Sequence, residues 1–445
     1  MKKFSLIAFV GLIWVSSISV NAQNTESAEG PSTLTVENCV SKVLSNNFDV
    51  ALANLDNQMA DNATTKGNAG LLPNVSATGG ANYSKNNTEL KFAGGIPPTN
   101  VDGAQSTSYN GSVGLNYTLF NGFANLHTFD KLRYAQNLSE TQLRITIENA
   151  VITTIGLYLD LAKVQADIKA LDETIGISQT RLRRAQLAHS YGSGSTLQVY
   201  SAKVDLNTDS INLLTALNAK GNLQRQLNYL MGNQITSEVK IDTDVKAFEN
   251  LNFSDVMTKA KLNNVLLVLA GIQKNIAEVD QKLSMANQYP TIALNTNYGL
   301  NASQNGAGIV LEQSNIGFSG GLSISIPIFS GGRTKIAMQN AVLQMEKSEV
   351  QMKQNEQLVE KEVYDYWTNY KFLETVLNTE INNLKTAELN VTRASEQLKL
   401  GQISSIEFRQ AQLSLLASKN RINAAKFNLK KAEYQLLRLT GDLVK

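Results

Sequence analysis

The sequence predicts a mainly α-helical chain with a membrane β-barrel portion, built as a tandem repeat with two strands in each half. Three observations predict this. Two stretches of nearly seventy residues, 124–190 and 332–399, contain no proline and few glycines. Four segments alternate apolar and small polar residues. The chain also resembles itself at a fixed offset, and internal repeats decide the architecture.

The repeat is clearest around RAQLAHSYGSGSTLQVYSAKVDL (184–206) and RASEQLKLGQISSIEFRQAQLSL (393–415). Gly192 aligns with Gly401, 209 positions on, and the same offset carries Phe120 onto Phe329, Gly122 onto Gly331 and Gly232 onto Gly441. Upstream, LLPNVSATGGANY (71–83) matches QYPTIALNTNYGL (288–300) at an offset of 217, which places Asn46-Asn47 on Asn263-Asn264. Each half reads helix, strand, loop, strand, long helix, turn, helix. The first repeat spans 23–232, with strands about 73–86 and 109–120 and helices about 124–190 and 195–231. The second spans 254–445, with strands about 290–301 and 316–329 and helices about 332–399 and 403–440. Between them, 233–253 reads as a linker with one short strand.

The first 22 residues read as a secretory signal: Lys2 and Lys3, a short apolar core, then Val20 and Ala22 before a cleavage site. No cysteine follows that site, where a lipid anchor would need one. The exported chain is expected to be bacterial. Without Lys2 and Lys3 the 40 basic residues fall to 38, equal to the 38 acidic ones. A neutral balance argues against nucleic acid as a partner, since phosphate binding needs clustered positive charge. Cys39 is the only cysteine, so no intrachain disulfide forms. His127 and His189 are the only histidines and lie far apart, so a His/Cys metal site within one chain is poorly supplied. No catalytic Ser/His/Asp set suggests itself, and no cofactor is expected.

The strands follow from period-2 alternation. In 316–328, Ile316, Phe318, Leu322, Ile324, Ile326 and Ile328 share one parity, against Gly317, Ser319, Gly321, Ser323 and Ser325. Ile292, Leu294, Tyr298 and Leu300 do the same, as do Val75, Ala77, Ala81 and Tyr83, and Val113, Leu115, Tyr117 and Leu119. This pattern fits outer-membrane strands with lipid outside and water inside. A soluble antiparallel sheet with one wet face uses the same pattern. No stretch of the mature chain reaches 18 consecutive apolar residues, so a membrane portion has to be a barrel. Four strands do not close a barrel, because membrane barrels start at about eight. Two chains would give eight strands and a filled interior, and three would give twelve and a lumen.

The helices need partners along their length. Ala411, Leu415, Ser418, Ile422, Ala425, Leu429, Ala432, Leu436 and Leu439 step by four and three, as a coiled-coil seam does. The first copy keeps Ala202, Leu206, Leu213, Ala216, Leu223, Leu227 and Leu230 in this frame, but Asp209 and Lys220 interrupt it. YGSGS (191–195) contains a Gly-x-Gly, yet no strand precedes it and no P-loop lysine follows, so it reads as a tight turn between antiparallel helices.

The paired passages LPNVS and YPTIA into strands, YTLFNGF and IPIFSGG out of them, and the duplicated helical turns at 191–199 and 400–408 resemble the TolC-like outer-membrane efflux channels. The resemblance covers essentially the whole mature chain. It implies a homotrimer, with twelve strands in one outer-membrane barrel and a coiled-coil tube across the periplasm. It implies a passive exit duct of a tripartite efflux or type I secretion system. The expected partners are outer-membrane lipid, a periplasmic adaptor (membrane fusion) protein and an inner-membrane transporter of RND, ABC or MFS type. Strand-to-helix bends would fall at Gly122, Pro327, Gly331 and Gly332. The periplasmic tips that meet the adaptor would hold Tyr191, Gly192, Gly194, Leu400 and Gly401. Family members carry acidic rings six and nine positions after the second tip glycine. Here Glu407 and Gln410 stand there, so one ring is present and the second is absent. Leu398 and Ile403 replace a tyrosine and an arginine that hold the mouth shut in some relatives. A periplasmic adaptor or a structural coiled-coil protein without channel activity is the alternative; an adaptor would lack the four alternating strands.

Overall fold

The structure, a computed structural model, describes residues 33–91, 93–95, 97–243 and 251–443. The expected signal peptide and residues 244–250 of the expected linker lie outside the described residues. The element order is α1 (Val36–Asn46), α2 (Phe48–Ala63), β1 (Asn74–Leu90), β2 (Thr99–Asn121), α3 (Ala124–Ser190), α4 (Thr196–Leu230), α5 (Phe253–Asn263), α6 (Val265–Ala286), β3 (Thr291–Asn305), β4 (Glu312–Ser325), α7 (Arg333–Lys399) and α8 (Ser405–Leu439). The second six elements repeat the first six in kind and order.

The strands form one antiparallel sheet in the order β1-β2-β3-β4, so the halves join through β2 and β3, and β1 and β4 are open edges. Register lines like residues up in rows. Ala77, Val113, Tyr298 and Phe318 stand side by side on one face. One residue along, Ser76, Gly114, Asn297 and Ser319 stand side by side on the other. Val75, Tyr298, Leu300, Ile316, Phe318 and Leu322 are each more than 40 % exposed in the single chain. Burying a side chain of this size is worth about 1.5–3 kcal/mol. The face as a whole therefore carries on the order of 10 kcal/mol, as much as the net stability of many domains. Such a face needs an apolar medium against it.

Several strand ends differ from the alternation. β1 continues to Leu90 and β2 starts at Thr99, because the hairpin keeps pairing beyond the apolar region, with a bulge between Asn86 and Thr88. β4 stops at Ser325, although the alternation runs on to Ile328. Pro327 has no N–H for a ladder and cannot continue it.

α3 and α7 each have 67 residues, about 100 Å of helix. α3 packs on α4, α6 and α8, and α7 packs on α8 and α6. By composition, α3 contains a stretch apolar enough to cross a membrane. It is core instead: Val151, Ile155, Tyr158, Leu159 and Leu161 are buried against Cys39, Val43, Leu227 and Phe427. At this level the Tyr158 hydroxyl lies 3.0 Å from Leu34 O and 2.9 Å from Asp242 O, beside a parallel bridge between Leu34 and Ile241. Burial pushes the Cys39 thiol up to about 12 and raises the Tyr158 phenol far above its ordinary range.

The repeat reaches individual hydrogen bonds. Asn47 donates from Nδ2 to Leu230 O at 3.1 Å, and its Oδ1 accepts from the N-terminus of α2. Asn264 donates to Leu439 O at 3.2 Å and accepts from Leu266 N in the same way. One amide thus caps a helix and ties it to the end of another, twice.

Candidate functional site

Three features along the molecule carry functional geometry: the bends, the tips and the interior just above the tips. At the first bend Gly122 and Phe123 both take left-handed backbone, with φ 66 and φ 65. At the second, Gly331 and Gly332 do so, with φ 63 and φ 81. At the first bend two such residues lead directly from β2 into α3, and at the second they follow an unpaired stretch, 326–330, and open α7. The bends differ in crowding. A Cβ on Gly122 would lie 2.7 Å from Ala286 O and 2.8 Å from Tyr289 Cβ, whereas one on Gly331 would meet nothing within 4 Å. Pro327 sits in the unpaired segment before the second bend, with Ile328 and Phe329 almost fully exposed.

Both tips close as helix C-caps with a left-handed glycine, Gly192 at φ 74 and Gly401 at φ 71. Ser193 N donates to Ala188 O and Gln402 N to Gln397 O, each at 2.9 Å, the same six-residue closure. Gly194 lies against Ala188 and His189, where a Cβ would come within 3.0 Å. The next helix opens on a capping box in each copy, Ser195 with Gln198 and Ser404 with Glu407. Each tip also presents two exposed apolar residues at equivalent positions. Tyr191 matches Leu400, and Leu197 matches Ile406, all more than 70 % exposed.

Glu407 therefore has a local task. Its carboxylate accepts from Ser404 N at 2.7 Å and Ser404 Oγ at 2.9 Å. The backbone hydrogen bond from Ser404, then the hydroxyl, holds its pKa below the ordinary carboxylate value. The side chain remains exposed, and Gln410, one turn on, is exposed beside it. Leu398 and Ile403 pack against the apolar cluster of Ala394, Phe408 and Ala411, so these two positions serve packing.

Above the tips lies a buried charged cluster that periodicity alone does not reveal. Arg409 of α8 makes two bonds to Asp209 of α4, at 2.8 and 2.7 Å. Ser178 Oγ of α3 donates to Asp209 at 2.6 Å, and Gln412 Nε2 reaches Ser178 at 3.1 Å. Arg181 pairs with Asp205 at 2.9 Å and donates to Ser405 O and Oγ. Two arginines balance two aspartates, which a low-dielectric interior requires. The contact between Arg181 and Ser405 also places both tips at the same end of the molecule. Among the described residues, no group of three or more His, Cys, Asp or Glu could hold a metal ion. His127 lies in the first turn of α3, and His189 is exposed, with Nδ1 3.3 Å from Gly194 O.

The profile of the outer membrane efflux protein family matches residues 39–233 and 256–442, most of the chain. The chain belongs to the outer membrane efflux protein family. It is similar to the outer membrane protein TolC of Vibrio cholerae, 20 % identical over 383 residues, covering 84 % of this chain and 82 % of that one. It is also similar to the outer membrane efflux protein BepC of Brucella suis, 22 % identical over 339 residues, covering 75 % and 72 %. Its fold matches the solved CmeC outer membrane channel of Campylobacter jejuni, with a TM-score of 0.76 at 15 % identity, covering 95 % of this chain and 91 % of that chain. This family member has the TolC-like fold, with barrel strands continuous with a helical tube. It is an outer-membrane exit duct for efflux, with the sheet in the membrane and the long helices in the periplasm.

Proposed function

We propose that three copies close one twelve-stranded barrel and conduct cargo passively, without chemistry of their own. The observation that carries this is the sheet: four strands, two open edges and one predominantly apolar face, with Thr296 as a polar residue on it. A lone four-stranded sheet would leave unpaired backbone in lipid, and edge pairing between copies removes that cost. Three sheets of four strands enclose a lumen, whereas two leave none. Transport would be powered by an inner-membrane transporter of RND, ABC or MFS type, coupled through a periplasmic adaptor protein.

The repeated exposed pairs, Tyr191 with Leu197 and Leu400 with Ile406, would be the surface each tip offers to the adaptor. Gly192, Gly194 and Gly401 would shape the turns that carry them. Glu407, tripled by symmetry, would set a ring of negative charge at the mouth, with Gln410 as its uncharged neighbour. Gln198 does the same capping task in the first repeat without charge. Glu407→Gln therefore removes the ring charge and keeps the cap. In planar bilayers the purified protein is expected to form pores blocked by multivalent cations, and Glu407→Gln to weaken that block. Block of equal strength in the variant would remove Glu407 from the mouth.

A further inference from the structure

The inner face of the sheet carries a second property. No Asp, Glu, Lys, Arg or His occurs in 74–84, 106–121, 291–304 or 313–325, all of them described residues and the paired body of the four strands. The face opposite the apolar one is amide, hydroxyl and glycine apart from Ala293, in rows such as Asn74, Asn116, Asn295 and Gly321. Charged strand residues are confined to the outer hairpin end, at Lys85, Glu89, Asp102 and Glu312. On the helix side the nearest are Lys66 before β1, His127 and Asp130 on α3, and Arg333 on α7. Two pairs of lining groups bond to one another, Thr78 with Ser112 at 3.1 Å and Asn295 with Ser323 at 3.2 Å.

We infer that the barrel is an electrically neutral sleeve that passes solutes of either charge sign, so that charge selection belongs to the helical tube and its mouth. This rests on the reading of the polar face as the lumen. Its physical basis is the range of charge. A fixed charge repeated in three copies inside a narrow pore with low-dielectric walls focuses several kT of potential and concentrates ions of one sign. The body of the sheet, below the hairpin ends, supplies none. Glu407 lies one 67-residue helix away, about 100 Å, against a Debye length of about 8 Å at physiological salt. Its field does not reach the sleeve.

The test uses charged thiol reagents on the full-length protein in lipid. Cys39, the only native cysteine, is fully buried and stays silent. Asn297→Cys and, in the same row, Ser319→Cys place a thiol on the polar face, and Phe318→Cys places one on the apolar face. Each is treated with trimethylammonioethyl and with sulfonatoethyl methanethiosulfonate, one cationic and one anionic. The sleeve predicts that both reagents modify the polar-face thiols. Their rate ratio, divided by that for a free small thiol, should stay within about twofold of one, where a charged lumen would shift it about tenfold or more. A shift of that size overturns the neutral sleeve and leaves the channel reading standing. Modification of Phe318→Cys with the polar-face thiols protected overturns both, because the faces would then be reversed.

Discussion

Arg409 and Asp209, 200 positions apart, meet in a buried bidentate ion pair with bonds of 2.8 and 2.7 Å. Asp209 is 1 % exposed, and it interrupts the apolar seam of α4 because its partner arrives from the other repeat. Asp209→Ala leaves the buried Arg409 guanidinium without its bidentate partner and with only the longer 3.6 Å contact to Asp205, a loss of roughly 3 kcal/mol. Replacing both partners by apolar residues, Asp209→Leu with Arg409→Met, is expected to recover most of it. Thermal unfolding in detergent checks this. A single variant as stable as the parent would show that the charge is solvated.

Gly122 and Gly331 occupy equivalent places and share a positive φ, yet substitution should separate them. Gly331→Ala meets open space and loses only the left-handed backbone preference, about 1–2 kcal/mol. Gly122→Ala adds a collision with Ala286 O and Tyr289, and is expected to cost about 3 kcal/mol or more and to reduce assembly. Equal yields of folded protein in outer membranes would contradict that difference.

Glu407 should retain its charge to lower pH than an ordinary glutamate. Its folded-state pKa is depressed, first by the Ser404 backbone hydrogen bond. The capping contribution is therefore fully present above the ordinary value and is lost as pH falls through the depressed one. Cation block measured against pH should persist below the ordinary glutamate range of about 4.3 and then fall. Block that disappears well above that range would point to another group.

Tyr191→Ser combined with Leu400→Ser should lower export in cells that carry the partner transporter. Membrane assembly and single-channel conductance should stay near the parent, since both side chains are exposed and outside the core. Unchanged export would place the adaptor contact elsewhere.

The fold was legible because its signals are periodic. Ile316 to Ile328 announce a strand by parity, and the 209-residue offset from Gly192 to Gly401 announces the duplicated hairpin. The end of β4 was less legible, because alternation persists through Ile326 and Ile328 after pairing stops. Glu407 stands out in the sequence by its position, and its cap is legible too, since Ser404 to Glu407 spells the Ser-x-x-Glu pattern of a capping box. The Arg409 cluster left a single trace, Asp209 in an apolar frame. Its partners Ser178, Arg181 and Arg409 come from α3 and α8, and no short-range pattern connects them.

The number of chains sharing one barrel is tested most directly by the mass of the particle extracted from outer membranes in mild detergent, with bound detergent subtracted. Three copies of the mature chain are expected. One or two copies would contradict the twelve-stranded barrel, since a single sheet keeps two open edges and eight strands leave no lumen.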